Sequence, residues 1–351
     1  LGDQIFAVGG VQFLHLEKGN LNYQFQHLNF KDNYEGSRHV FFTKLNLQRF
    51  QIYSNSSFLK TDGLNTNSFF YRSDNRLKYS YKKGWSGVEF STEHNEKKEV
   101  ELNQLDPVSQ KFQAYEVFTA VGDSTKVFVK LGYRHRVNDS LQNNRLAKVN
   151  ASDTYYLDSK WIQNKNASLA FYANYRVLRP ENGSEKLKSL NSRITYHQKL
   201  WANGVVLNTA YETTSGNNSQ QEWAFIKVEP GQGTHTWNDY NEDGVQTLDE
   251  FERALFVDEG NYLRIILPNQ RYIRTHRTNL SQSLTLNLTN WRTATGIKKF
   301  FSKFYNQTTY LIERDEERNP SSFELNPFES SEENLLELQK NIRTGVCSFW
   351  T

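Results

Sequence analysis

Apolar and polar residues alternate along most of this chain, in runs that often exceed ten residues. In one run, Val129, Leu131 and Tyr133 alternate with Lys130 and Arg134, and the same pattern recurs in segments 21–26, 168–177, 205–212 and 283–289. A period of two residues predicts β-strands with one apolar and one polar face. The chain has no helical stripe of comparable length, so the pattern predicts an all-β fold.

Turn-forming residue pairs separate these runs. They are Gly19-Asn20, Asp62-Gly63, Lys83-Gly84, Gly122-Asp123, Asn182-Gly183, Asn203-Gly204, Gly216-Asn217 and Thr295-Gly296. Strands of soluble proteins average about five or six residues, whereas a bilayer requires strands of about ten. We therefore predict one domain over residues 1–351, an antiparallel transmembrane β-barrel of about 14–16 strands or part of a larger barrel. A secreted β-sandwich or solenoid also alternates and remains the alternative fold.

Composition agrees with a barrel. The 351 residues include 24 Phe, 19 Tyr and 7 Trp, although hydrophobic residues make up only 37%. Many aromatic residues and few aliphatic ones suit a polar lumen and aromatic girdles at the membrane interfaces. The net charge is +3 and the basic residues are dispersed, so we expect no nucleic-acid partner. The single cysteine, Cys347, allows no internal disulfide, and the eight histidines show no zinc-ligand spacing.

Residues 239–250 match the calcium-loop pattern D-x-[DN]-x-[DN]-G-x₅-E at every fixed position. Calcium takes about six to eight oxygen ligands, and Gly244 supplies the sharp turn at position six. Glu250 is expected to close the coordination sphere with both carboxylate oxygens. The predicted metal ligands are Asp239, Asn241, Asp243, Val245 through its carbonyl, Thr247 and Glu250.

The segments flanking this pattern indicate a structural ion rather than a helix-opening switch. Pro230 and its neighbouring glycines break helices, residues 223–228 and 262–267 read as strands, and residues 249–254 read as one helical turn. We predict an inserted calcium-binding loop over residues 229–260, on the outer side of the membrane. A second, charged extramembrane loop is predicted over residues 313–337, with a helical turn through Leu335, Leu336 and Leu338.

Signatures of catalysis are absent from the sequence. There is no Gly-x-Ser-x-Gly elbow, no Gly-x-Gly-x-x-Gly fingerprint and no Walker loop. We therefore predict a protein that is not an enzyme and has no catalytic residues. The first function is a porin-like pore or a membrane-embedded subunit of a larger envelope complex for transport, secretion or assembly. The alternative is a secreted, calcium-stabilised all-β adhesin or glycan-binding protein.

One block resembles a segment of large outer-membrane proteins of Bacteroidota. It contains Gly231-Gln232-Gly233, Trp237, the 239–250 loop, Phe251 and Tyr262-Leu263-Arg264, and the similarity covers residues 228–275. The resemblance implies a β-barrel in the Gram-negative outer membrane, in contact with the lipid bilayer and with outer-membrane or periplasmic subunits. Members are often much longer than 351 residues, so the resemblance leaves two alternatives open, a whole barrel and the barrel part of a longer polypeptide.

Overall fold

The computed structural model describes residues 4–30, 33–229, 232–240, 244, 246–254, 256, 260–318, 323–328 and 334–348. Strands account for 74% of the structure and helix for 3%, so the predicted all-β class is confirmed. Within the described residues, no helix is both long and apolar enough to cross a bilayer.

Eighteen strands lie in one sheet. Their bounds are β1 Gln4–His15, β2 Gly19–Phe30, β3 Tyr34–Leu47, β4 Phe50–Gly63, β5 Thr66–Tyr81, β6 Gly84–Glu99, β7 Gln104–Leu105, β8 Gln110–Gly122, β9 Phe128–Gln142, β10 Arg145–Gln163, β11 Ala167–Pro180, β12 Leu187–Leu200, β13 Val205–Lys227, β14 His235–Trp237, β15 Phe251–Arg253, β16 Tyr262–Asn287, β17 Phe304–Glu317 and β18 Leu335–Ser348. Two 3₁₀ turns span Leu248–Glu250 and Thr289–Trp291, and the short helix α1 spans Ile297–Phe301.

The sheet is an antiparallel meander in which each long strand pairs with the next along the chain. The short strand β7 pairs with β6 just before β8 does, and β13 pairs directly with β16 across the segment that contains β14 and β15. The large sheet thus has 16 strands when β14 and β15 are set aside. Strands β7 and β8 pair with the same side of β6, so the 16 strands occupy 15 positions across the sheet. Because neighbouring strands are antiparallel, the edge strands β1 and β18, at the first and fifteenth positions, run in the same direction.

The sheet is open at β1 and β18. Among the described residues, no hydrogen-bond ladder joins these two strands, so the closed ring predicted from the sequence is not seen. Strand β1 also departs from the alternation of its neighbours. It exposes apolar side chains on both faces, such as Ile5 at 63%, Phe6 at 61% and Phe13 at 67%.

The sheet has one apolar and one polar face, and the strand register aligns both across nine neighbouring positions. We call the first alignment the apolar row; it comprises Leu45, Ile52, Leu77, Val88, Val117, Tyr133, Tyr155, Tyr175 and Leu190. The polar row is offset by one residue on each strand and so lies on the opposite face; it comprises Lys44, Tyr53, Arg76, Glu89, Glu116, Arg134, Thr154, Arg176 and Ser189. Charged pairs such as Arg76–Glu89 at 2.8 Å occur on the polar face.

Residues 323–328, which we call the strap, pack against the apolar face of β11, β13, β16 and β17. The Tyr211 hydroxyl donates a hydrogen bond to the Leu325 carbonyl, and Tyr310 stacks on Phe328 with ring centroids 6.4 Å apart. Phe323 meets the ring of Tyr175 edge-on at 6.3 Å. Part of the apolar face is therefore covered by the chain itself.

Several local predictions differ from the structure. Gly216-Asn217 lies inside β13 rather than at a turn, because this strand continues along β16 beyond the point where its pairing with β12 ends. Residues 313–317 and 335–337 belong to β17 and β18, so the connection between them is shorter than the predicted 313–337 loop. The helical turn predicted through Leu335–Leu338 is wrong, because these residues pair with β17.

Candidate calcium-binding loop

The loop between β13 and β16 is built on a small antiparallel sheet. His235, Thr236 and Trp237 of β14 pair with Arg253, Glu252 and Phe251 of β15. The predicted helical turn is a 3₁₀ turn at Leu248–Glu250, after which the chain enters β15. At the loop's base, the Gly233 N–H donates to the Gly260 carbonyl at 2.9 Å. A Cβ at either glycine would overlap the opposite backbone, which accounts for the glycines at this crossing.

Aromatic rings join this loop to the long hairpin. Phe251 stacks on Phe225 of β13 with centroids 4.1 Å apart and planes 6° apart, and meets Tyr262 edge-on at 5.0 Å. His235 packs against the other side of this cluster, 5.0 Å from Phe225. Offset and edge-on aromatic pairs stabilise beyond their buried area, so the cluster fixes the loop on the hairpin.

Glu250, the last ligand of the calcium pattern, is 3% exposed. Its Oε2 accepts hydrogen bonds from Trp237 Nε1 at 2.9 Å and from the Thr247 N–H at 3.2 Å. A carboxylate oxygen has two lone-pair sites, and both are used here. Both bonds are accepted by Oε2 and neither by Oε1, and closure of a calcium coordination sphere by both oxygens of Glu250 stays a prediction.

Asp239, the first ligand, is half-buried, and its Oδ2 accepts a hydrogen bond from the Gly244 N–H at 2.8 Å. Gly244 has a φ of +70°, the left-handed conformation that favours glycine and that the pattern requires at position six. The bond joins the first and sixth positions of the predicted calcium loop across the turn.

The remaining predicted ligands are unequally described. Thr247 is half-buried beside Glu250, whereas Asn241, Asp243 and Val245 lie outside the described residues. Over the described ranges, no group of three or more His, Cys, Asp or Glu side chains is arranged around a common point. The donors that are described, two carboxylates and a hydroxyl, are hard oxygen ligands, and their chemistry fits calcium.

Electrostatics in the loop are set by burial. Desolvation lowers the pKa of His235, whose ring packs against Phe225, and it is the largest cause. The positive charges of the nearby Arg264 and Arg253 lower this pKa further. His235 is therefore neutral in the folded loop at neutral pH. The hydrogen bond to Glu252 raises the pKa of Tyr240, which keeps its phenol protonated.

Sequence reasoning missed the residues that hold the loop's shape. Trp237 binds Glu250, and Gln246 Nε2 donates to the Tyr262 hydroxyl at 2.7 Å. The Trp-x-Asp spacing was visible in the sequence, but nothing in it indicated that the indole would reach the twelfth loop position. No protein-family model matches the chain, and the comparison with curated proteins finds no similar one.

Proposed function

We propose that this protein is a non-enzymatic outer-membrane β-barrel protein of a Gram-negative cell, acting as a pore or as a membrane-embedded subunit of a larger envelope complex. The observation that carries the proposal is the pair of aligned rows on opposite faces of the sheet. Val88, Val117 and Tyr155 of the apolar row are 50%, 52% and 53% exposed. A contiguous apolar face of this extent marks contact with lipid or protein rather than water.

Strand length supports the same assignment. Every long strand has at least 12 residues, and β13 and β16 have 23 and 26. About 9–11 residues cross the hydrocarbon core of a bilayer when the strand is tilted. In a barrel, one alternating sequence turns the polar row towards an aqueous lumen and the apolar row towards the acyl chains. Each face of the sheet then contacts a medium of matching polarity.

The direction of the edge strands favours part of a larger barrel over a barrel of these strands alone. Unpaired backbone groups at β1 and β18 are costly in lipid, so both edges require partners. Because the two strands run in the same direction, direct closure would need a parallel ladder. An antiparallel barrel, as bacterial outer-membrane barrels are, instead places an odd number of additional strands between them.

The calcium loop has a structural role in this proposal. The loop resembles a block of large Bacteroidota outer-membrane proteins, and Ca²⁺ bound by Asp239, Thr247, Glu250 and the intervening ligands would stabilise its folded form by mass action. The aromatic cluster at Phe225 and Phe251 ties that loop to the β13–β16 hairpin. The ion would thereby order the segment 239–250 within this loop.

Solubility and heat-dependent mobility test the barrel proposal. We expect the purified chain to require detergent, and its electrophoretic mobility to shift on boiling as the hydrogen-bonded ladder opens. A chain that stays monodisperse in buffer without detergent and shows no mobility shift would contradict the proposal. That result would favour the secreted, calcium-stabilised adhesin or glycan-binding protein instead.

A further inference from the structure

A cavity opens where β12 separates from β13. Their ladder runs from Leu200↔Val205 to Ser192↔Thr213 and ends there, while β13 continues along β16. Ser215 bridges the gap, because its Oγ accepts the Leu190 N–H at 3.0 Å and its own N–H donates to Asn191 Oδ1 at 2.9 Å. The wedge between the strands contains an open cavity of about 200 Å³.

Four basic side chains from four separate segments line this cavity. They are Arg176 of β11, Lys188 of β12, Arg274 of β16 and Arg318 directly after β17. The other lining residues are Leu178, Leu187, Ser189, Ser215 and Gly216, so the described lining contains no carboxylate. None of the four cations forms an ion pair with any described residue.

Arg318 carries the strongest sign of a missing partner. Its Nε is buried and has no hydrogen-bond partner among the described residues, and its guanidinium lies 5.7 Å from the ring centre of Phe323. Its backbone N–H donates to the Arg274 carbonyl at 2.8 Å, which holds the two cationic residues together. A buried donor of a charged group without an acceptor is costly, and a bound anion would remove that cost.

Neighbouring charges increase the demand for an anion. Arg134 lies in the polar row two strands from Arg176, with Thr154 of β10 between them. Of the nearby carboxylates, Asp315 is paired with Arg277 at 2.8 Å, and neither Asp315 nor Glu324 lines the cavity. The positive charge of the cavity lining is therefore not balanced within the described lining.

We propose that this wedge is a binding site for a tetrahedral oxyanion, a phosphate or sulfate group, held by Arg176, Lys188, Arg274 and Arg318. Guanidinium groups present paired N–H donors that match such oxygens in bidentate fashion, and lysine adds a point charge. A water molecule occupies about 30 Å³ in the liquid, so the cavity holds an oxyanion with a few waters. The bound group would bridge β11 and β12 to β16 at the place where the ladder is interrupted. The site goes beyond the proposed barrel function and does not depend on the calcium loop.

Calorimetric titration of the full chain in detergent with inorganic phosphate and with sulfate tests the site. Arg176→Gln and Arg318→Gln each remove a charged donor, and we expect each to weaken the dissociation constant about tenfold or more. Arg318→Lys keeps the positive charge but loses the paired N–H donors of the guanidinium. Its affinity for the oxyanion should therefore lie between that of the parent protein and that of Arg318→Gln. The matched control is Arg38→Gln, on the polar face of β3, whose Nε donates to Ser57 Oγ away from the wedge. That variant should bind like the parent protein.

A second arm separates a free ion from a lipid headgroup. If the anion is a lipid headgroup, micelles doped with phosphatidic acid should raise the melting temperature of the parent protein relative to micelles doped with diacylglycerol. The melting temperature of Arg318→Gln should not rise. Saturable binding in either arm that depends on Arg176 and Arg318 supports the site. No saturable binding in either arm, or equal binding by all variants, overturns it. The heat-dependent mobility shift of the same samples reports on the barrel separately, so either proposal can fail alone.

Discussion

The ring of Tyr156 in β10 lies over Gly132, its direct partner in β9, so that any Cβ at position 132 would overlap the phenol. Phe118 of β8 is the partner of Gly132 on the other side and lies in the same way over Gly87 of β6. Aromatic rings thus cover glycines across four neighbouring strands. The Tyr156 hydroxyl is fixed by Glu116 Oε1 at 2.5 Å. This pattern covers glycine backbone in a sheet and allows the strands to curve.

Gly132→Ala should therefore destabilise the sheet. The added methyl group must displace the Tyr156 ring, and overpacking of this kind costs about 1–3 kcal/mol. We expect a lower denaturant midpoint in detergent. Gly9→Ala in β1 is the control, because no heavy atom lies within 4 Å of its added Cβ. Equal denaturant midpoints for Gly132→Ala and Gly9→Ala would show that the position of the Tyr156 ring does not require a glycine at position 132.

Calcium removal should loosen the 229–260 loop and leave the sheet folded. In calcium, we expect slow protease cleavage between Trp237 and Phe256, and a chelator should accelerate it because the folded loop loses its ligand. Glu250→Gln should be cleaved quickly even in calcium, since it removes the charge of a predicted ligand. Glu252→Gln, outside the ligand pattern, is the matched control. Cleavage that does not respond to calcium in the parent protein would rule out the ion.

Acidification should weaken the same loop through His235. Its pKa is lowered in the folded loop, so the folded form disfavours the protonated ring. Stability is therefore intact above the unfolded pKa of about 6.5 and decreases as the pH falls from there through the lower folded pKa. Protease cleavage of the loop should be faster at pH 5.5 than at pH 7.5, and His235→Gln should remove most of that difference. If His235→Gln leaves the pH response of cleavage unchanged, the response comes from other titrating groups and not from His235.

The sequence pattern predicted strands well and their partners poorly. Alternation around Val129 and Leu131 was sufficient to predict a strand, because the two-residue period is a local property. Gly216 was predicted at a turn, since glycine followed by asparagine favours turns, but pairing with Thr275 of a distant strand overrides that preference. Arg176 and Arg318 are 142 residues apart, so only the strand register brings them to one cavity.

In the loop between β13 and β16, the sequence predicted the turn at Gly244 and missed the contacts that support the loop. Gly244 has the expected positive φ, because the motif encodes a local turn. The bond from Trp237 to Glu250 depends on the β14–β15 pairing, which no spacing rule gives. That bond holds the Glu250 carboxylate in place within the loop.

Closure by additional strands can be tested with the single native cysteine. Cys347 is exposed in β18, and a disulfide requires Cα atoms within about 7 Å. Because neighbouring strands are about 4.8 Å apart, one intervening strand would place the edges about 10 Å apart. Gln12→Cys and Leu14→Cys in β1 should therefore not cross-link to Cys347. Tyr305→Cys, its direct partner in β17, should cross-link readily. A cross-link from β1 would instead show direct parallel closure.

The most direct test of lipid contact compares one arginine on each face of the sheet. Val117→Arg places a charge in the apolar row, and Asn55→Arg places one on the polar face opposite Asp74. If the apolar row faces acyl chains, Val117→Arg should lose about 2–4 kcal/mol of folding free energy in phospholipid vesicles and Asn55→Arg almost none. Val117 is 52% exposed, so in a water-soluble protein its replacement would be tolerated. Equal unfolding free energies for the two variants in vesicles would contradict the membrane barrel.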